Sequence, residues 1–504
     1  MTTGATRTPR DPLVLVLWAA TLLAALSTLG RTIVPALDEG VYLTAARLMV
    51  HEGLVPFRDF GLAHPPLTML LAGVVLEVVG GNVVVFDALY TAWCLCAVFP
   101  LARVVRELTG DRRAALVAAF LFLTFPEFLR WDARFLALRQ ASLPFLAFAL
   151  EALWVRRRPA TAGVLLGLFG ASLVPHALLA VILGAAAAVG LVRDGDRGTA
   201  RRLLVALGVT LGLAYGAVVL LPGFRDSGLA FQVTRARVPL SDRLVRLATE
   251  VLPESGPILL AGLAGSFLLP PRARPVAWLN VVGLPLVLLA PPSFFPHYLS
   301  SFGPGLALAA GVLVARSAER RPPAANAVAA ALVGGGLLAS FLALREPLTR
   351  TTPHLLRVVE ALRRAPEPVL CLEPVYAHWA GHRMTFHYYV AVLRYAPKLG
   401  FAKLDDAAFA DLVARSGSVL VDPNLVAFLT PERAALLRRD FVPVFRDARN
   451  ILLVRRSGGS PGARGGEPRG GRSGGAPGPA APAGRRATSS APAPTPRSRG
   501  GLPA

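Results

Sequence analysis

Residues 193–221 read RDGDRGTARRLLVALGVTLGLAYGAVVLL, a basic hydrophilic stretch that passes directly into the apolar run 203–221. A helix rises about 1.5 Å per residue, so a run of this length crosses the roughly 30 Å of a bilayer's hydrocarbon core. Arg193, Arg197, Arg201 and Arg202 sit at its head, where the positive-inside rule places a cytoplasmic end. The same unit recurs along the chain. Apolar runs fall near 13–30, 83–101, 114–127, 140–155, 160–174, 177–192, 203–221, 256–270, 276–290, 298–314 and 324–343.

Arginine placement orders these runs. With Arg7 and Arg10 inside, alternate loops carry Arg103, Arg106, Arg112 and Arg113, then Arg156, Arg157 and Arg158, then the quartet above. Arg272 and Arg274 follow, and after them Arg316, Arg320 and Arg321. About eleven spans, with the N-terminus in the cytoplasm and the C-terminus outside, satisfy the rule at every loop. The first run is long enough to span and lacks a clear small-residue cleavage site after it, so it is read as a retained span. The apolar residues 65–80 would break the alternation as a span, so they are expected to lie at the outer interface or re-enter.

Composition agrees. The chain of 504 residues has 54% hydrophobic and 17% charged residues, with a mean hydropathy of +0.53. Its formal net charge of +22 is used for topology and in the tail, which argues against a nucleic-acid partner. Arg464, Arg469, Arg472, Arg485, Arg486, Arg497 and Arg499 lie in a Gly-, Pro-, Ala- and Ser-rich tail facing a lone Glu467. Such a composition cannot bury a core and predicts disorder. Three cysteines exclude a disulfide framework. Walker A and HExxH motifs are absent, so ATP-driven transport and zincin chemistry have no support, and no internal repeat suggests the paired halves of a transporter.

The expected organisation is a cytoplasmic N-terminus over 1–12, a membrane domain over 13–343 with a first external loop at 31–82, an external domain over 344–456 and the tail 457–504. The fold class is an all-α polytopic membrane bundle with a small C-terminal extracytoplasmic α/β domain. Strands are expected at 369–373, 418–422 and 450–454, and a helix at 431–439, opened by Thr430-Pro431.

The chemistry-bearing stretch is the first external loop: Leu37-Asp38-Glu39-Gly40-Val41-Tyr42, then Val55-Pro56-Phe57-Arg58-Asp59-Phe60, then His64-Pro65-Pro66-Leu67. Asp38 and Glu39 read as a helix start, a cap and a dipole partner, with Gly53 ending the helix after Val50. Adjacent carboxylates at an outer membrane face also suit a general base or a metal site. Both readings stay open. Arginines on the outside, at Arg130, Arg134 and Arg139 and at Arg225, Arg235, Arg237, Arg243 and Arg246, oppose the topological signal and suggest an anionic partner. For Arg235 and Arg237 that partner can simply be anionic headgroups.

At these residues the sequence resembles the membrane glycosyltransferases of the C superfamily, and in particular the family 39-like enzymes related to protein O-mannosyltransferases and aminoarabinose transferases. The match consists of the Asp38-Glu39-Gly40-x-Tyr42 helix, Arg58-Asp59-Phe60 and His64-Pro65-Pro66-Leu67, with a second segment at Phe295-Pro296-His297-Tyr298-Leu299 and Pro304. The resemblance implies transfer of a sugar, hexosyl or pentosyl, from a polyprenyl-phosphate donor to a protein, lipid or glycan acceptor on the outer face of the membrane. Arginine- and alanine-rich usage without eukaryotic targeting signals suggests that this is a bacterial cytoplasmic membrane. The resemblance also implies Asp38 as base with Glu39 in support, and Mg or Mn as a candidate cofactor on that pair. Arg58, Asp59, His64, Arg139, His297 and Tyr298 would serve the donor and its phosphate. Two positions depart from the family. Ala63-His64 stands where relatives carry an acid or lysine before Pro-Pro-Leu, and Arg139-Gln140-Ala141 stands where an Arg-Pro-Asp-like run is common.

Bland readings accompany these roles. His64 can cap the interfacial helix, Arg139 can anchor a span end, and His297-Tyr298 can be an interfacial pair. Asp87 reads as a hydrogen-bonded structural acid and His176 as part of an outer turn. His378, His382 and His387 read as domain surface rather than a metal site. The rival functions are a polymerase or ligase of lipid-linked glycans, a transporter or flippase, and a catalytically silent scaffold.

Overall fold

The computed structural model describes residues 19, 21–22, 37–62, 64–129, 136, 138–221, 223–229, 237–289, 296–345, 352–385, 405–426 and 428–456. The first run, 13–30, and the tail 457–504 lie almost wholly or wholly outside them. Every other apolar run is helical. Six helices among the described residues are long and apolar enough to cross a membrane: Val83–Thr109, Val174–Arg193, Arg197–Val219, Pro271–Leu289, His297–Arg320 and Pro322–Leu342. Arg112–Leu123, Leu138–Trp154, Pro159–Ala171 and Leu252–Ser266 are shorter helices in the remaining runs.

The medium these helices require is legible from their surfaces. His297–Arg320 is the central helix, with 89% of its apolar window buried, whereas Arg197–Val219 has only 17% buried. Leu213, Leu220, Phe267 and Phe341 present their side chains outward. An apolar helix that leaves most of its apolar surface outside the protein is stable only where the surroundings are themselves apolar.

Four of the basic loops meet at one end of the bundle. The buried Glu151 carboxylate accepts from Arg103 at 2.9 Å and from Arg156 at 3.1 Å. Arg272 donates to the Glu107 carbonyl at 2.8 Å, and Arg113 reaches Asn326 at 3.5 Å. These four loops therefore share a side, as the arginine placement expects of them.

The segment expected to lie at the interface forms the helix Leu67–Val78. Its twelve residues extend about 18 Å, too short to span. It packs against Leu37–Val50, whose end matches the expected stop: Gly53 has φ +68° and the Leu54 amide returns to the Leu48 carbonyl at 2.9 Å. The start differs slightly. The helix already includes Leu37, so Asp38 lies in its first turn rather than ahead of it.

The C-terminal region is a four-stranded sheet of order β1-β2-β4-β3: β1 Val369–Leu370, β2 Ser418–Val421, β3 Phe441–Arg446 and β4 Ile451–Arg455. β1 runs parallel to β2, while β4 is antiparallel to β2 and β3. Alternation sorts the side chains. Val369, Cys371 and Leu420 face a core with Val358, Leu362 and Val375; Leu370, Val419 and Val421 face one with Phe409, Val413 and Leu437. Helices thus cover both faces. The expected strand 369–373 shortens to two residues because the chain leaves the ladder for the helix Pro374–Ala380. β3 escaped the sequence reading because Pro443 argues against a strand; it is tolerated on this edge strand, beside a bulge between Pro443 and Phe445.

Candidate functional site

The first loop folds back on the helix that carries Asp38 and Glu39. The side chains of those two residues, together with Ala63 and the Gln140 side chain, lie outside the described residues. What surrounds them is clear. Tyr42, one turn beyond Asp38, is buried and meets the His64 ring edge-on with centroids 6.1 Å apart. His64 is therefore brought to the first turns of the acidic helix. On another face, the Cα of Gly40 abuts the backbone of Val375 in Pro374–Ala380. The acidic turn is thus flanked by the His-Pro-Pro segment and by the C-terminal α/β region.

Arg58 and Asp59 form a two-bonded pair, Nε to Oδ1 at 2.9 Å and Nη2 to Oδ2 at 2.7 Å. Asp59 also accepts from the Val55 amide at 2.7 Å. The Arg58 bond first, and the Val55 amide second, hold the Asp59 carboxyl down to about 2. This pair closes a turn in which Phe57 takes φ +66° and its buried ring packs edge-on against Phe224 at 5.1 Å. Asp59 is committed to local structure, and its loop ties the first loop to the segment Phe224–Leu229.

Arg139, His297 and Tyr298 converge from distant parts of the chain. The Arg139 guanidinium carbon lies 5.8 Å from the centre of the Tyr298 ring, and His297 meets that ring edge-on at 5.2 Å. Arg139 is buried, 9% exposed. An apolar cavity of about 300 Å³ is lined by Thr68, Leu71, Val75, Phe86, Tyr90, Trp93 and Phe145, and by Leu136 and Ala141, which flank Arg139 in sequence. Its walls are Leu67–Val78, Val83–Leu95 and Leu138–Trp154.

His176 is corrected: it is fully buried in the first turn of Val174–Arg193, bonded to Ser142 at 3.0 Å and Ser301 at 2.8 Å. A serine in each of two apolar runs was the only sequence signal for these partners. His378 and His382 are also buried rather than superficial. His382 bonds the Ala365 carbonyl at 3.0 Å and pairs with Glu367 at 3.3 Å. Burial first, and Arg47 second, hold the His378 imidazole down to about 4. His387, Arg130, Arg134 and Arg235 lie outside the described residues. Asp87 is buried in its helix, 1% exposed. Among the described residues no group of three or more His, Cys, Asp or Glu is close enough to hold a metal ion.

An acidic cluster that the sequence did not announce lies after the ends of β1 and β2. Asp422 accepts from the amides of Leu372 at 2.9 Å, Glu373 at 3.0 Å and Leu425 at 2.7 Å. Asn424 donates to Glu373 at 2.9 Å. Burial first, then the Asp422 charge, push the Glu373 carboxyl up to about 7, with Arg449 opposing.

The whole arrangement has counterparts among solved structures. ArnT from Cupriavidus metallidurans bound to undecaprenyl phosphate superposes with a TM-score of 0.61 at 18% identity, covering 89% of this chain and 98% of that one. The chain shares the fold of this ArnT. The apo state of the same ArnT gives a TM-score of 0.62 at 16% identity over 88% of this chain and 97% of that one. An Archaeoglobus fulgidus oligosaccharyltransferase in complex with Zn and sulfate gives 0.46 at 14% identity over 86% and 73%. No protein-family model and no curated protein sequence matches the chain. The likeness of fold to ArnT extends along nearly the whole chain.

Proposed function

We propose that the chain transfers a sugar from a polyprenyl-phosphate donor to a nucleophilic acceptor at the extracytoplasmic face of a bacterial cytoplasmic membrane. The observation that carries the reading is the buried Arg139 over Tyr298, with its sequence neighbours Leu136 and Ala141 lining an apolar cavity of about 300 Å³. A buried cation whose chain neighbours line an apolar groove suits a ligand with an anionic head and a hydrocarbon tail. The gathered basic loops would face the cytoplasm, and the first loop and C-terminal α/β region would face outward.

In this reading the bond between the sugar's anomeric carbon and the phosphate oxygen breaks. The pair of electrons leaves with the polyprenyl phosphate, whose added charge Arg139 and the His297-Tyr298 pair stabilise. The acceptor oxygen bonds the anomeric carbon and its proton passes to Asp38, with Glu39 supporting the carboxylate. His64, beside Tyr42, would contact the sugar side of the donor. Asp38 and Glu39 offer oxygen ligands of the kind Mg or Mn prefers, and such an ion would further neutralise the leaving phosphate. Arg58 and Asp59, bonded to each other, would shape the loop rather than bind phosphate.

The test is transfer of labelled sugar from polyprenyl-phosphate donors in membranes holding wild type or Asp38→Asn at equal expression. A loss of about a hundredfold or more with Asp38→Asn fits removal of a general base. Equal transfer by both would leave Asp38 as a helix residue only. Donor binding without any transfer by wild type would favour a transport or scaffold role.

A further inference from the structure

The buried histidine behind Arg139 takes no part in the chemistry proposed above. His176, Ser142 and Ser301 are 0%, 0% and 2% exposed, and the imidazole stacks on Phe169 with centroids 4.4 Å apart. Ser142 donates its single hydroxyl proton to the Arg139 carbonyl at 2.5 Å. Toward His176 Nδ1, 3.0 Å away, the same oxygen can then only accept, so Nδ1 carries the ring proton. Nε2 is left as an acceptor for the Ser301 hydroxyl at 2.8 Å. A neutral imidazole satisfies the whole relay.

Three elements are joined by it. One end is the backbone of Arg139, at the start of Leu138–Trp154; the middle is Val174–Arg193; the other end is the turn Pro296–Phe302, which carries His297 and Tyr298. In that turn Ser300 donates to the His297 carbonyl at 2.8 Å. The guanidinium and the phenol thus sit on two separate elements whose spacing is set by one hydrogen-bonded ring. A histidine serving only as packing would couple to stability and leave ligand affinity alone.

We propose that His176 is a positioning residue that holds Arg139 and Tyr298 in register to receive the phosphate of a polyprenyl-phosphate ligand. This inference rests on the reading of Arg139 and Tyr298 as a phosphate site. It acts through Ser142 and Ser301, and the imidazole itself meets neither sugar nor phosphate.

The experiment measures binding of undecaprenyl phosphate to the full-length protein in lipid nanodiscs, without any sugar transfer. Ser301→Ala removes one bond with little change of volume, His176→Phe removes both and keeps a ring, and His176→Gln keeps an acceptor for Ser301. Affinity is expected to fall about tenfold in Ser301→Ala, the scale of one lost hydrogen bond, and at least as far in His176→Phe. His176→Gln should recover most of it, a pattern that general destabilisation does not produce. If His176→Phe does not fold, Ser301→Ala decides alone. Affinities equal to wild type in the folded variants would overturn the inference and leave the phosphate site standing. A wild type that binds no undecaprenyl phosphate would overturn the phosphate-site reading and the inference with it.

Discussion

Gly40 lies against the backbone of Val375 so closely that a Cβ on Gly40 would overlap the Val375 Cα and N. The two residues are far apart in the sequence. One follows Asp38-Glu39 in the first loop, and the other begins the helix after β1. Their contact is what seats the C-terminal α/β region on the acidic helix, and it explains physically why glycine follows the two carboxylates.

Gly40→Ala is therefore predicted to push Pro374–Ala380 away from the first loop. Because the obstructing atoms are backbone, no rotamer change relieves the clash, and overpacking of this kind costs about 1–3 kcal/mol. Hydrogen exchange in Pro374–Ala380 should accelerate, and sugar transfer should fall together with it. Unchanged exchange would show that the contact gives way without cost.

Arg139→Lys is predicted to weaken donor use although the charge is kept. A guanidinium lies flat over an aromatic ring and offers a fork of donors to a phosphate, which an ammonium cannot reproduce. The Michaelis constant for the polyprenyl-phosphate donor should rise about tenfold, with a smaller change in turnover. A turnover defect at constant Michaelis constant would contradict a role in holding the ground-state phosphate.

Glu373 should make the C-terminal region weaken as pH rises. Its folded carboxyl is raised to about 7, above the ~4.3 of an exposed glutamate. Between these values the folded state binds more protons than the unfolded one, so stability declines from about pH 4.3 to 7 and then levels off. Glu373→Gln should flatten that slope in thermal unfolding or in exchange of the β1–β2 amides. An unchanged slope would mean another group titrates there.

Part of the candidate site was legible because its signals are local. The stop of the Asp38-Glu39 helix at Gly53 follows from the left-handed conformation glycine accepts. The pairing of Arg58 with Asp59 joins sequence neighbours. Reading Asp59 as a pocket residue missed that its carboxylate is already occupied by Arg58 and the Val55 amide. The relay of Ser142, His176 and Ser301 was not legible, since a lone serine or histidine in an apolar run carries no mark of its partner.

The sequence by itself determined the apolar runs, the alternation of basic loops and the α/β character of the C-terminal region. Each depends on length, periodicity or charge within a few dozen residues. Only the tertiary structure decided that Arg139 stands over Tyr298, that His176 bonds residues 34 and 125 positions away, and that Val375 rests on Gly40. Those relations depend on which helices pack together and at what depth. Many apolar faces in this chain are interchangeable as hydrophobic surface, and a partner is selected only when close packing and buried hydrogen bonds are satisfied at the same time.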